Sequence, residues 1–166
     1  MITIFTVAPR KFLLFITLGL ALLSMAGQPQ ALAGGPHHIP SRGPAGNLTG
    51  QLTNLRGGRG ACYLALFASA EGFPRQTSQA VRTLRLPVSG ATVSFSFESL
   101  PPGSYALAVY HDENNNGQLD KNFFGLPTER YGFSNNARSM MFFPPSFGAA
   151  RFVVTGAGTA IVLKLR

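Results

Sequence analysis

The stretch Ala91-Thr92-Val93-Ser94-Phe95-Ser96-Phe97-Glu98 gives the clearest indication of the fold in this chain. Apolar residues occupy every second position, and hydroxyl-bearing or charged residues lie between them. Successive side chains of a β-strand point to opposite faces, so this pattern predicts a strand with one buried side and one solvent-facing side. Pro101-Pro102-Gly103 follows and predicts a turn.

Six further segments have strand patterns and are separated by turns that contain glycine, proline or asparagine: 48–53, 61–68, 84–88, 104–111, 151–155 and 161–165. Two of them, 61–68 and 104–111, are apolar on both faces and predict central strands. Pro87 predicts an edge strand, because proline lacks the N–H group that a central strand donates. Because no amphipathic helical pattern occurs, we expect an all-β fold, an antiparallel β-sandwich of about seven strands.

The first 33 residues are predicted to be a secretory signal peptide. Arg10 and Lys11 precede an apolar run over residues 12–26, and Ala31-Leu32-Ala33 forms a small-x-small cleavage site. The run of about 15 residues is shorter than the roughly 20 that cross a bilayer as a helix. The alternative is an uncleaved membrane anchor. Cleavage near Ala33 predicts a secreted or periplasmic protein that has no transmembrane span afterwards.

The mature chain is expected to be one domain. Residues 34–46 are rich in glycine and proline and predict a flexible leader, which leaves residues 47–166 for the β-sandwich. Cys62 is the only cysteine, so no intramolecular disulfide forms, and its apolar surroundings predict a buried thiol. The chain has 14 basic and 6 acidic side chains, a surplus that attracts anions without selecting among them. It contains no nucleic-acid motif, and nucleic acid is not a predicted partner.

Residues 97–107, Phe-Glu-Ser-Leu-Pro-Pro-Gly-Ser-Tyr-Ala-Leu, resemble a hairpin of transthyretin-like and collagen-adhesin B-type domains. The shared pattern is Phe-x-x-Leu-Pro-Pro-Gly-x-Tyr. Leu100 is expected to close the core, the prolines to restrict the turn, and Gly103 to adopt positive φ. Tyr105 then enters the adjacent strand. The resemblance implies a transthyretin/prealbumin-like sandwich.

A second resemblance spans most of the domain and rests on four motifs: HDENNNGQLD at 111–120, FGLP at 124–127, YGFSNNA at 131–137 and PPSF at 144–147. In combination they are similar to a bacterial family of small exported proteins that is defined only as a domain of unknown function. The resemblance implies a β fold and an exported location. It implies no established activity.

Residues 112–120 match the first part of a calcium-binding loop. Calcium takes oxygen ligands at alternate positions of such a loop. The candidate ligands are Asp112, Asn114, Asn116, the Gln118 carbonyl and Asp120, and a further carboxylate, Glu129 or Glu113, would complete the shell. An EF-hand has a bidentate glutamate at position twelve, where this chain has Phe123, so we expect weak affinity, with Kd on the order of 10⁻⁴ to 10⁻³ M. An ion-free turn is the alternative, since asparagine and glycine tolerate left-handed backbone.

The long connection 123–145 supplies a second candidate site. Its side chains Tyr131, Phe133, Asn135 and Asn136 form an aromatic and amide surface that suits a carbohydrate or a peptide. The alternative is that the aromatic residues pack beneath the connection as a satellite core, and these are Tyr131, Phe133, Phe142 and Phe143.

The sequence argues against an enzyme. It contains no nucleophile-elbow motif and no cysteine–histidine cluster for a catalytic zinc. His111 and Asp112 are adjacent on a predicted strand, so their side chains point to opposite faces. We therefore predict a non-enzymatic exported module that binds an unknown ligand or envelope component, and carbohydrate or peptide binding at residues 131–136 is the alternative.

Overall fold

The computed structural model describes residues 43–140 and 143–166. The predicted signal peptide, the leader up to residue 42 and Phe142 lie outside this part of the chain. The described residues form eight strands: β1 Gly46–Thr53, β2 Ala61–Phe67, β3 Arg82–Pro87, β4 Thr92–Leu100, β5 Gly103–Asp112, β6 Tyr131–Phe133, β7 Phe152–Val154 and β8 Thr159–Lys164. They also contain one short helix, α1 Phe147–Ala150, and two 3-10 turns, Thr77–Gln79 and Ser134–Asn136.

The strands form two sheets. One sheet has three strands in the order β4-β1-β8, and the other has five, in the order β3-β2-β5-β6, with β7 pairing a separate part of β5. The predicted all-β sandwich is therefore confirmed, and β2 and β5 are central strands while β3 is an edge strand. One strand pair departs from the antiparallel pattern, because β1 and β8 run parallel. The seven predicted strands are present, and β6 is an eighth.

The core lies between the sheets and follows the period-two pattern. Phe95 and Phe97 are buried, whereas Ser94 and Ser96 between them are exposed. The two rings meet edge-to-face with centroids 6.0 Å apart. Each buried phenylalanine contributes about 1.5–3 kcal/mol relative to an exposed one. Cys62 is a free, fully buried thiol, as predicted, and burial raises its pKa to about 12.

The predicted hairpin at residues 97–107 is wrong. Strand β4 pairs with β1 in the three-stranded sheet, whereas β5 pairs with β2 in the five-stranded sheet. Pro101 and Pro102 therefore carry the chain from one sheet to the other. Gly103 does not adopt positive φ, whereas Ser99 has a φ of 53°. The buried Tyr105 donates its hydroxyl to the Pro101 carbonyl (2.8 Å), which braces this crossing. Similarity to transthyretin-like domains stays a prediction.

The outer face of the five-stranded sheet is only partly covered. A second apolar cluster, which contains Ala106, Phe133 and Ala150, covers one end of this face, and Phe73 and Phe147 pack against it. The other end of this face is left open as a depression. Within the described residues, no helix has the length and apolarity to cross a membrane.

Candidate functional site

Strand register assembles two rows of side chains across the outer face of the five-stranded sheet. The first row crosses β3, β2, β5 and β6 and consists of Arg85, Tyr63, Tyr110 and Tyr131. The neighbouring row consists of Thr83, Ala65, Ala108 and Phe133. Because the second row contains two alanines and a threonine between larger neighbours, it forms a depression in the sheet surface.

This depression is the floor of a groove of about 850 Å³. One wall comes from the connection before β3, with Pro74 and Thr77, and the other from residues 117–127. Ser139 and Pro144 also border it. Three cationic side chains line the groove, namely Arg75, Arg85 and Lys121, and the described lining residues include no aspartate or glutamate. The groove therefore has an apolar floor and a basic margin.

The first row is held in a fixed arrangement. The rings of Tyr63 and Tyr110 stack with centroids 5.0 Å apart and an interplanar angle of 4°. The Arg85 guanidinium lies 5.6 Å from the centroid of the Tyr63 ring, and its Nε donates to the Tyr63 hydroxyl (3.0 Å). Its Nη2 donates to Asn115 Oδ1 (3.0 Å). These contacts hold the guanidinium of Arg85 in one orientation.

Tyr110 connects the floor to the wall, because its hydroxyl donates to the Gly117 carbonyl (2.9 Å). Burial raises the pKa of Tyr110 to about 12, and the neighbouring Tyr63, Asp112 and Glu129 add to the increase. The phenol is therefore protonated at neutral pH and donates this hydrogen bond.

The predicted calcium loop forms part of that wall, and two carboxylates organise its backbone. The fully buried Asp112 accepts hydrogen bonds from the N–H groups of Asn116 (3.1 Å) and Gly117 (2.8 Å). The buried Glu129 accepts from the N–H groups of Glu113 (2.8 Å) and Asp120 (3.0 Å). Glu129 thereby joins the two ends of the loop. It is a structural residue here whether or not a cation binds.

Asp120, at the end of the loop, is bonded to two of the loop's asparagine side chains. It accepts hydrogen bonds from the side-chain amides of Asn114 (2.7 Å) and Asn116 (2.8 Å). The oxygens of these amides accept from the N–H groups of Asn116 (3.0 Å) and Gln118 (2.8 Å). The structure thus brings all six predicted metal-site residues into one hydrogen-bonded network. In this arrangement the amide N–H groups balance the Asp120 charge.

Calcium would require a rearrangement of this network. Amide groups bind calcium through oxygen, so Asn114 and Asn116 would have to turn their oxygens from the backbone to the ion. The carboxylate of Glu113 lies 3.8 Å from Arg56. Among the described residues, no group of three or more histidine, cysteine or acidic side chains is placed to hold a metal. Calcium stays a prediction.

The residues of the 131–136 segment separate into two pairs. Tyr131 and Phe133 belong to β6 and line the groove. Asn135 donates to the Arg151 carbonyl, and Asn136 accepts from the Lys164 N–H (3.0 Å). Both asparagines have left-handed backbone and connect parts of the sandwich rather than line the groove. The four predicted ligand-binding residues therefore do not form one surface.

Packing of the aromatic residues is confirmed for some of them. Phe133 is buried in the second apolar cluster, and Tyr131 packs against it. Phe143 is 72% exposed, so its predicted burial is wrong. The sequence pattern could not show that Phe133 is buried and Phe143 exposed, because both residues lie in a connection without regular alternation.

His111 is part of the framework of the site. It is fully buried, its Nδ1 accepts from the Arg56 N–H (3.4 Å), and its Nε2 donates to the Arg59 carbonyl (2.8 Å). Asp112 bonds to the loop backbone instead. The pair is therefore not arranged as a base and its orienting carboxylate.

The first row of side chains beside the groove was not predicted from the sequence. Strand register alone makes neighbours of Tyr63, Arg85 and Tyr110, so no local sequence motif marks them as parts of one site. A signal was available: the outward positions of both central strands are apolar, and an apolar outer face of a sandwich needs a cover or a ligand.

The family model described as "Uncharacterized protein conserved in bacteria (DUF2141)" matches residues 51–162. The chain belongs to the DUF2141 family. The DUF2141 match includes strands β2 to β7 and every residue that lines the groove. No curated protein and no solved structure matches this DUF2141 chain.

Proposed function

We propose that the protein is an exported, non-enzymatic binding module whose ligand lies in the groove on the five-stranded sheet. The observation that carries this proposal is the groove itself. A concave apolar floor with a few oriented polar groups is the usual form of a ligand site. The preorganised Arg85 supplies the polar group, and Ala65 and Ala108 leave the space. The ligand would be a component of the cell envelope or its surroundings.

The preferred ligand is a peptide segment with small apolar side chains and an acidic group. The acidic group matches the basic margin formed by Arg75, Arg85 and Lys121. Sugars stack on the open faces of aromatic rings, but Tyr63 has Arg85 over its ring and Tyr110 stacked against it. The small apolar side chains of a peptide require only the depression above Ala65 and Ala108.

A peptide array that contains acidic, neutral and basic sequences tests this proposal. Wild-type protein should retain acidic peptides, and Arg85→Glu should lose them. Arg59→Glu is the matched control, because Arg59 is exposed in the turn before β2 and does not line the groove. Tyr131→Ala should weaken binding as well. Equal retention of acidic and basic peptides, or equal loss in both arginine variants, would contradict the proposal.

Carbohydrate binding is the second candidate, and Tyr131 favours it. Tyr131 is half-buried at the edge of the first row, and its ring meets Phe133 edge-to-face with centroids 5.9 Å apart. A glycan array probed with wild type and Tyr131→Ala separates the two ligands. Retention of glycans without peptides would replace the peptide proposal.

The Asp112–Asp120 loop is proposed to act as the rigid wall of this groove and to bind calcium weakly. Calcium would replace the two Asn–Asp120 hydrogen bonds with ion–oxygen contacts. The melting temperature in millimolar calcium should exceed that in chelator, and Asp120→Asn should remove the difference. An unchanged melting temperature would make the loop an ion-free wall.

Export is tested by the N-terminus of the protein recovered outside the cytoplasm. The small-x-small site predicts that this N-terminus begins at Gly34. Recovery of the protein with its apolar N-terminal segment intact would favour the uncleaved anchor.

A further inference from the structure

The most exposed large apolar side chains of the described residues lie in two turns beside the groove. Phe123 is 97% exposed, Met140 78%, Phe124 73% and Phe143 72%. Single exposed apolar residues are common, but a group of them indicates an interaction site. None of these four side chains lines the groove.

The first turn, residues 121–127, is built to hold its phenylalanines outward. Asn122 Oδ1 accepts hydrogen bonds from the N–H groups of Phe124 and Leu126, both at 3.0 Å. The Gly125 N–H donates to the Asn122 carbonyl (2.9 Å), and Gly125 has a φ of 78°, which a side chain would disfavour. The rings of Phe123 and Phe124 meet edge-to-face, 5.6 Å apart.

The second turn is closed by two reciprocal backbone hydrogen bonds of 2.9 Å between Met140 and Phe143. Both turns border the same groove, because Gly125 and Leu126 line it from one turn and Pro144 from the end of the other. The four exposed side chains Phe123, Phe124, Met140 and Phe143 are therefore close in sequence to residues that line one groove, and they are called the rim here.

We propose that this rim docks on the surface of a bilayer that contains anionic lipids. Phenylalanine and methionine enter the boundary between head groups and acyl chains, where burial of apolar area supplies the binding energy. Exposed Lys121 and Arg138 lie in or beside the two turns, and after removal of Arg10 and Lys11 with the signal peptide the protein has 12 basic against 6 acidic side chains. Such charges strengthen attachment to an anionic surface and weaken with salt.

A bilayer fits these turns better than a protein partner does. Phe123 and Phe124 protrude together from an exposed turn, and their two rings form a small protruding pair rather than a flat patch. Protein interfaces concentrate their energy in fully enclosed, well-packed side chains at the centre of a patch. A fluid bilayer surface accepts separate protruding side chains without a complementary shape.

The absence of tryptophan from the chain allows a local test. Phe123→Trp places a single fluorophore at the first tip. Val162→Trp is the control, because Val162 is 63% exposed on β8 of the three-stranded sheet. Each full-length variant is mixed with vesicles of phosphatidylcholine, with and without phosphatidylglycerol. Circular dichroism and melting temperature confirm that both variants fold.

We expect the emission of Phe123→Trp to shift to the blue with phosphatidylglycerol vesicles, and that of Val162→Trp to stay unchanged. Lack of a shift at position 123 would overturn the proposal. Equal shifts at both positions would also overturn it, since that result indicates attachment through the apolar N-terminal segment.

Vesicle sedimentation supplies a second measurement. Phe123→Ser combined with Phe124→Ser should raise the lipid concentration for half-binding by about tenfold or more, because two ring burials are lost. Lys121→Glu should weaken binding to phosphatidylglycerol vesicles and leave binding to pure phosphatidylcholine unchanged. Equal sedimentation of the wild type and the double variant would contradict a role for the rim. Peptide binding is measured without vesicles, so failure of either proposal is distinguishable from failure of the other.

Discussion

Substitution of Glu129 by glutamine tests how the wall of the groove is held. The Glu129 carboxylate accepts the Glu113 N–H at 2.8 Å and the Asp120 N–H at 3.0 Å, and it is buried. Glutamine keeps one acceptor oxygen. Its amide N–H₂ group takes the place of the other oxygen and faces a backbone N–H, so one donor is left without a partner.

The magnitude follows from these two contacts. A hydrogen bond to a charged acceptor contributes about 1.5–3 kcal/mol, and an unsatisfied buried donor costs about 1–3 kcal/mol. Loss of one such bond and weakening of the other should lower the free energy of unfolding by roughly 3 kcal/mol. For a domain of this size, that corresponds to a decrease of roughly 10 °C in melting temperature.

Urea and thermal unfolding, both in the presence of chelator, measure this effect apart from any metal. Glu98→Gln is the matched control, since Glu98 is exposed on β4 and its substitution should change stability by less than about 0.5 kcal/mol. Equal stability of Glu129→Gln and Glu98→Gln would show that the two backbone hydrogen bonds of Glu129 do not hold the loop.

Three further predictions concern the framework. Ser134→Ala should lower the free energy of unfolding by about 2 kcal/mol, because the buried Ser134 hydroxyl accepts from the Leu107 N–H at 2.8 Å, whereas the exposed Ser89→Ala should be neutral. Cys62 should react with a thiol reagent only as fast as the protein unfolds, and rapid reaction of the native protein would contradict its burial. Urea midpoints should fall as the pH rises from about 10 to 12, since the unfolded tyrosine loses its proton before the folded Tyr110 does, and Tyr110→Phe should reduce that fall.

The proposed ligand site in the groove and the proposed bilayer contact at the rim would give the molecule two separate means of recognition. Residues 121–127 belong to both, because Lys121 and Leu126 line the groove while Phe123 and Phe124 point outward. A ligand in the groove and a bilayer at the rim would therefore contact the same turn. Peptide binding measured with and without vesicles would show whether the two events are coupled.

The amino-acid sequence by itself predicted the local elements and the burial of their faces. The alternation around Phe95 and Phe97 specified which side chains enter the core, and Pro87 specified an edge strand. These properties are readable because side-chain direction in a strand depends only on sequence parity. The Asp112–Asp120 motif likewise predicted which polar residues would meet, since they are close along the chain.

Only the tertiary structure decided how the strands were partnered. The parallel pairing of β1 with β8, the crossing between sheets at Pro101-Pro102, and the three-residue strand β6 leave no signal in local periodicity. Gly132 in β6 lies against Leu163 of β8, because an added Cβ would lie 2.7 Å from Leu163 Cδ2 and that side chain would have to shift. The groove is another example, because each of its two rows of side chains takes residues from four different strands, β3, β2, β5 and β6. Pairing and register arise from contacts between distant segments, and no single segment encodes them.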